Sequence, residues 1–231
     1  MAISVTGHVP LERVYVWQLP VRLAHWALFF SILTLAATGF YIGHPFIDVP
    51  GPARDHFVMG TARVIHLYAA IVFTVSLFVR FYWFLVGNRY ARLGDLIPVT
   101  GKRLRNLFKT MMFYSFLRHD PDDYVGHNAL AGATYMVIYM VYLLMIGTGL
   151  ALYTVYASVH SPFQFFGVLT PLFGGLPVAR ALHHIGMWVI LVFVVGHVYF
   201  VLLSSIVEQN GTLGSIFSGY KFMPEDEADK P

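Results

Sequence analysis

Four apolar stretches, each about as long as a membrane crossing, limit what this chain can fold into more than any other feature. A hydrocarbon core of roughly 30 Å needs about 20 apolar residues in helical form. Residues 23–42 (LAHWALFFSILTLAATGFYI), 64–86, 129–153 and 181–207 meet that length, and together they hold one formal charge, Arg80. Charged residues make up 12% of the chain and hydrophobic ones 57%, whereas a soluble domain carries about 25% charged residues. Mean hydropathy is +0.64. The expected fold is an all-α integral membrane protein, a four-transmembrane-helix bundle forming a single membrane domain over 1–231. Its spans are expected at 22–42, 62–87, 128–154 and 181–207, with a Gly- and Pro-rich loop between the last two. The opening MAISVTGHVPLERVYVWQLP lacks a basic start, an apolar core and a small-residue cleavage site, so the first apolar segment reads as a retained helix. The absence of cysteine removes disulfides, cysteine-ligated iron–sulfur clusters and thiol chemistry.

Basic residues orient the spans. The loop 88–127 holds Arg89, Arg92, Lys102, Arg103, Arg105, Lys109 and Arg118, while the opposite side offers Arg54, with Arg63 and Arg180 at helix starts. The positive-inside rule then places the 88–127 loop and both termini in the cytoplasm. The acidic tail, 222–231, counts for little in that rule and is expected to be mobile. The net charge of +3 is explained by this loop and needs no nucleic-acid partner.

Ionisable residues inside a span are costly and point to function. Four histidines qualify: His25 on span one, His66 on span two, His183 and His197 on span four. Fourteen residues at 100° each return to within about 40° of the starting direction, so His183 and His197 share a helix face. About 21 Å of helix axis separates them. His184 points about 140° away from His197 and is not its equivalent. With the orientation above, His66 and His183 fall on the outer side, and His25 and His197 on the cytoplasmic side. Span four must tilt or protrude for the inner depths to match. Two depth-matched pairs of neutral imidazoles are what two six-coordinate haems require. Bis-histidine ligation closes both axial positions and favours electron transfer over oxygen chemistry.

Three of these histidines follow an arginine by three residues: Arg22 before His25, Arg63 before His66, Arg180 before His183. That spacing puts each arginine on the histidine's side of the helix, one turn nearer water. Haem propionates need cations there; plain topology anchors are the simpler use. Gly39, Gly149, Gly186 and Gly196 lie near the histidines and would let a flat macrocycle approach the backbone. A lone membrane histidine commonly makes an interhelical hydrogen bond worth about 0.6 kcal/mol, a use that explains four paired ones poorly. Arg80 is expected to snorkel to the cytoplasmic surface or to meet a lipid or quinone head group. His127 starts span three, where a quinone contact and a capping role are both open, and His56 precedes span two on the outer side. A proton-relay transporter is the competing class, opposed by the absence of Asp and Glu from every span.

The sequence resembles the cytochrome b subunit of membrane-bound NiFe hydrogenases. RLAHWALFFSILTLAATG (22–39) matches that family's first signature, an Arg-x-x-His-Trp start closing on Thr-Gly. RALHHIGMWVILVFVVGH (180–197) matches its second, including His183, His184, Trp188, Phe193 and His197. ARVIH, RFYWFLVGNRYAR and GHNALA resemble its second- and third-span segments. The resemblance implies a di-haem b cytochrome of the cytoplasmic (inner) membrane, bound to the small and large subunits of a periplasmic NiFe hydrogenase. The haem on His66 and His183 would take electrons from an iron–sulfur cluster of the small subunit. The haem on His25 and His197 would pass them to a quinone, menaquinone or ubiquinone, near the cytoplasmic side. The uncharged FGVLTPLFGGLP loop would lie against the partner. No catalytic residue is assigned. Relatives serving formate dehydrogenases or thiosulfate reductases are the nearest alternatives.

Overall fold

A computed structural model describes residues 11–47, 57–96, 101–115, 117 and 129–224. Strand β1 (Leu11–Tyr15) leads into helix α1 (Leu19–Gly43), followed by α2 (Val58–Val86), α3 (Leu93–Leu96) and α4 (Gly101–Tyr114). Helix α5 (Ala129–Tyr153), a 3-10 helix (Pro162–Val168), α6 (Leu169–Leu172), α7 (Leu176–Glu208), α8 (Thr212–Ser218) and strand β2 (Tyr220–Pro224) complete the order. Among the described residues four helices are long and apolar enough to cross a membrane: Leu19–Gly43, Val58–Val86, Leu130–Tyr153 and Leu176–Val207. The four expected spans are therefore present, and three begin earlier than expected. Pro20 and Pro177 sit in the first turns of α1 and α7, where a missing N–H costs no helical hydrogen bond. Helix α7 has 33 residues, or about 50 Å at 1.5 Å per residue. It therefore outruns a roughly 30 Å hydrocarbon core, and most of its length beyond the expected span lies at its N-terminal end.

The chain groups into two compact units. One comprises Leu23–Tyr82 and Val137–Val195 and is a four-helix bundle. In it α1 packs on α2 and α7, where a Cβ on Gly39 would lie 3.5 Å from His66 and 3.8 Å from Met187. Helix α5 packs on the same two helices: Phe73 of α2 meets Tyr142 at 5.0 Å between ring centroids, and Gly186 of α7 faces Met145. Ile32, Ala36, Phe73, Leu77, Ile138, Tyr142 and Ile190 are buried there. Phe30, Leu33, Val75, Phe78, Val192 and Val195 are exposed. Helices apolar on every side, with large side chains pointing out, are what a lipid solvent selects.

The other unit holds the described residues that fall within 1–22, 83–136 and 196–231, and it departs from an all-α reading. Strands β1 and β2 form an antiparallel ribbon, with Leu11 opposite Pro224 and Tyr15 opposite Tyr220. Arg13 stacks on the Tyr220 ring at 3.6 Å. The Gly219 carbonyl accepts from Val16 N at 2.8 Å and Trp17 N at 3.0 Å. Gly219 has φ +90°, and a Cβ on it would stand 2.6 Å from the Tyr15 ring and 2.8 Å from the Trp17 carbonyl, so only glycine fits. The tail expected to be mobile over 222–231 thus begins in a strand through Pro224. Its remainder, 225–231, lies outside the described residues. The expected loop 88–127 likewise contains α3 and α4.

Trp17 and Trp83 are hydrogen-bonded anchors in this unit. Trp17 Nε1 donates to Ser215 Oγ at 3.0 Å. Gln18 Oε1 accepts from Trp83 Nε1 and from Asn88 N, both at 3.0 Å, and Asn88 Nδ2 donates to the Val16 carbonyl at 2.9 Å. Tyr114 of α4 meets Ser204 of α7 at 3.0 Å between hydroxyls.

Candidate functional site

His66 and His183, expected to pair, face each other within the bundle. Their ring centroids are 6.4 Å apart and their planes are tilted by 53°. Two imidazoles bonded to one metal from opposite sides, at about 2.0 Å per bond and about 1.1 Å from nitrogen to ring centre, have centroids about 6 Å apart. The observed spacing therefore leaves room for one iron between the rings.

A threonine holds each ring. Thr38 Oγ1 of α1 lies 2.8 Å from His66 Nδ1, and Thr148 Oγ1 of α5 lies 2.9 Å from His183 Nδ1. Thr148 is fully buried. With Nδ1 engaged on both rings, Nε2 is the nitrogen each has left for a metal. A glycine follows each threonine: a Cβ on Gly39 would make ordinary contact with His66 Cε1 at 3.5 Å, and one on Gly149 would crowd His183 Cε1 at 3.3 Å. Of the other two glycines singled out, Gly186 packs on Met145, and Gly196 has open space at its Cβ among the described residues.

The donor set favours haem over a bare ion. Among the described residues no cluster of three or more His, Cys, Asp or Glu side chains gathers at one point. Two imidazoles make a poor cage for an ion that wants four or more protein ligands. They complete the shell of an iron whose four other ligands come from a macrocycle.

His25 and His197 belong to different units, and each has its own surroundings. His25 sits in α1 with its ring edge-on to Trp26, centroids 5.3 Å apart. His197 Nδ1 lies 3.4 Å from the Tyr135 hydroxyl, a long contact for a hydrogen bond, and the two rings are 5.9 Å apart. Both histidines are partly buried. His184 points elsewhere, as expected, and lies 3.4 Å from where a Gly43 Cβ would be. His56 and His127 lie outside the described residues.

The three arginines differ. The Arg22 guanidinium donates through one terminal nitrogen to the Phe217 carbonyl. Its Nε is buried without a hydrogen-bond partner among the described residues. An orphaned buried donor costs about 1–3 kcal/mol, so an anionic group at this point would be stabilising. Arg63 is exposed and stacks on Tyr156 at 4.5 Å. Arg180 is exposed near the start of α7. Arg80 corrects the expectation of snorkelling or head-group pairing. It is 6% exposed and hydrogen-bonds Tyr139 across the bundle, because its helix face turns inward and a buried guanidinium must be paired. Thr38 and Thr148 were not singled out among the candidate residues; their signal was the Thr-Gly pair, present at both 38–39 and 148–149.

A family model described as prokaryotic cytochrome b561 matches residues 16–219. A protein of Rhizobium leguminosarum bv. viciae, "Probable Ni/Fe-hydrogenase B-type cytochrome subunit", is 38% identical over 232 residues, covering 98% of this chain and 97% of the relative. One of the same name from Cupriavidus necator is 36% identical, covering 94% and 91%. The "Probable Ni/Fe-hydrogenase 1 B-type cytochrome subunit" of Escherichia coli (strain K12) is 36% identical, covering 90% of each.

Proposed function

Because the chain belongs to the prokaryotic cytochrome b561 family, we propose that it is the di-haem b cytochrome of a NiFe hydrogenase. In this reading it anchors the hydrogenase small and large subunits on the periplasmic face of the inner membrane. It carries their electrons from the small-subunit iron–sulfur cluster to membrane quinone. The His66–His183 spacing of 6.4 Å is the observation that carries the proposal. The names of the relatives support the partner, and the bases of the 88–127 segment support cytoplasmic termini.

In this scheme His66 and His183 hold one haem b and His25 and His197 a second. Haem b held there would supply reversible one-electron transfer. The residues of the chain fix its place. Thr38 and Thr148 set the orientation of the His66 and His183 rings, and Gly149 leaves space beside the latter. Arg63 and Arg180, three residues before those histidines, offer cations to the propionates of the first haem, and Arg22, with its spare Nε–H, to those of the second. Burial among Ile32, Phe73, Leu77 and Ile190 keeps water from the bundle core.

Gentle detergent extraction of native membranes tests the partner and the route together. The hydrogenase small and large subunits should co-purify with this chain, and hydrogen should reduce quinone in the membranes. His66→Ala should abolish quinone reduction while hydrogen still reduces a soluble artificial acceptor. Co-purification of a formate dehydrogenase or thiosulfate reductase instead, or unchanged quinone reduction in the variant, would contradict the proposal.

A further inference from the structure

We infer that Thr38 and Thr148 are matched positioning residues. Each accepts a hydrogen bond from Nδ1–H of its histidine, fixing His66 and His183 as Nε2 ligands and lowering the midpoint potential of the haem they share. This rests on the reading of those two histidines as axial ligands.

A threonine hydroxyl has a single hydrogen. Thr38 Oγ1 lies 2.7 Å from the Thr34 carbonyl as well as 2.8 Å from His66 Nδ1. Thr148 Oγ1 lies 2.7 Å from the Leu144 carbonyl and 2.9 Å from His183 Nδ1. A carbonyl can only accept. If the hydroxyl hydrogen pointed at the imidazole, two acceptor oxygens would face each other at 2.7 Å with no proton between them. Donation to the carbonyl removes that clash, and the imidazole must then supply the second proton. The proton therefore sits on Nδ1, and Nε2 keeps its lone pair.

The carbonyls of Leu35 and Met145, each three residues before its threonine, lie 3.3 Å from the same hydroxyls, so each hydroxyl hydrogen has two main-chain acceptors on its own helix, and the ring is left to donate. The arrangement occurs twice, α1 holding a ring of α2 and α5 holding a ring of α7, and each time the next residue is glycine.

A hydrogen bond accepted from Nδ1–H makes the other nitrogen a stronger base. A more basic axial ligand favours ferric over ferrous iron, so the potential falls. Thr38→Val and Thr148→Val keep the side-chain shape and remove the acceptor. Potentiometric titration of the visible spectrum, with the hydrogenase complex intact, should show one haem shifted to higher potential in either variant. The other haem should stay where it is. Thr38→Val/Thr148→Val should shift further, and Thr38→Ser and Thr148→Ser should return the potential toward the parent's. Haem retention in dilute detergent should fall by about 10-fold or more in the double variant, by analogy with lost outer-shell partners at other metal sites.

An unchanged or lowered potential in both valine variants, or an equal shift of both haems, would overturn the inference. So would serine variants that behave like valine. A parent chain lacking the haem on His66 and His183 would instead remove the ligand reading beneath it, so the two failures are distinguishable.

Discussion

Around His66 and His183 the polar side chains reach from one helix to the next, Thr38 to His66 and Thr148 to His183. Around the ribbon they bond mostly to main chain: Gln18 takes the Asn88 N–H, Asn88 gives to the Val16 carbonyl, Arg22 to that of Phe217. The difference follows from what each backbone does. A transmembrane helix satisfies its own N–H and C=O groups, so its side chains are free to position rings. Where the chain leaves helix and strand at 16–18, 87–92, 209–211 and 219, each main-chain group needs a partner found elsewhere. The bundle should therefore tolerate an added methyl group where the opposing atom is flexible, and the ribbon unit should not.

Three substitutions put that contrast at risk. Gly219→Val should have the largest effect, because φ is +90° and the new Cβ meets a ring edge and a carbonyl, neither of which can move aside cheaply. A cost of about 3 kcal/mol is expected from the strained backbone and the clash, read as loss of hydrogen-exchange protection at 11–15 and 220–224. Retained protection there would break the account of the ribbon. Gln18→Leu removes the acceptor shared by Trp83 Nε1 and Asn88 N and should cost about 2 kcal/mol. It should lower the thermal midpoint while leaving the haem spectrum of the bundle unchanged. Gly186→Ala should have the smallest effect. Its Cβ would come 2.6 Å from Met145 Sδ, the end of a flexible chain that can swing away, so about 1 kcal/mol or less is expected. A larger thermal loss than for Gly219→Val would reverse the contrast.

How much of this was legible beforehand follows the same division. The four spans were readable because lipid imposes a length and forbids charge. His66 and His183 were matched in depth from helix direction and basic loops alone, and the bundle brings them to 6.4 Å. The ribbon was not legible: Leu11 pairs with Pro224, and a two-stranded pairing across nearly the whole chain has no local signal. Arg80 was misjudged because composition does not say which way one helix face turns. Thr38 and Thr148 were passed over because a threonine in a helix commonly bonds its own i−4 carbonyl. These two do so as well, and their second contact depends on a neighbouring helix that periodicity does not locate.

The most direct test of the central claim is the number of b haems per chain, by pyridine haemochrome, in the parent and in His183→Ala and His184→Ala. Adjacent on α7, the two histidines differ only in which way they point. The account predicts two haems in the parent, one in His183→Ala and two in His184→Ala. Two haems retained in His183→Ala, or one lost in His184→Ala, would contradict it.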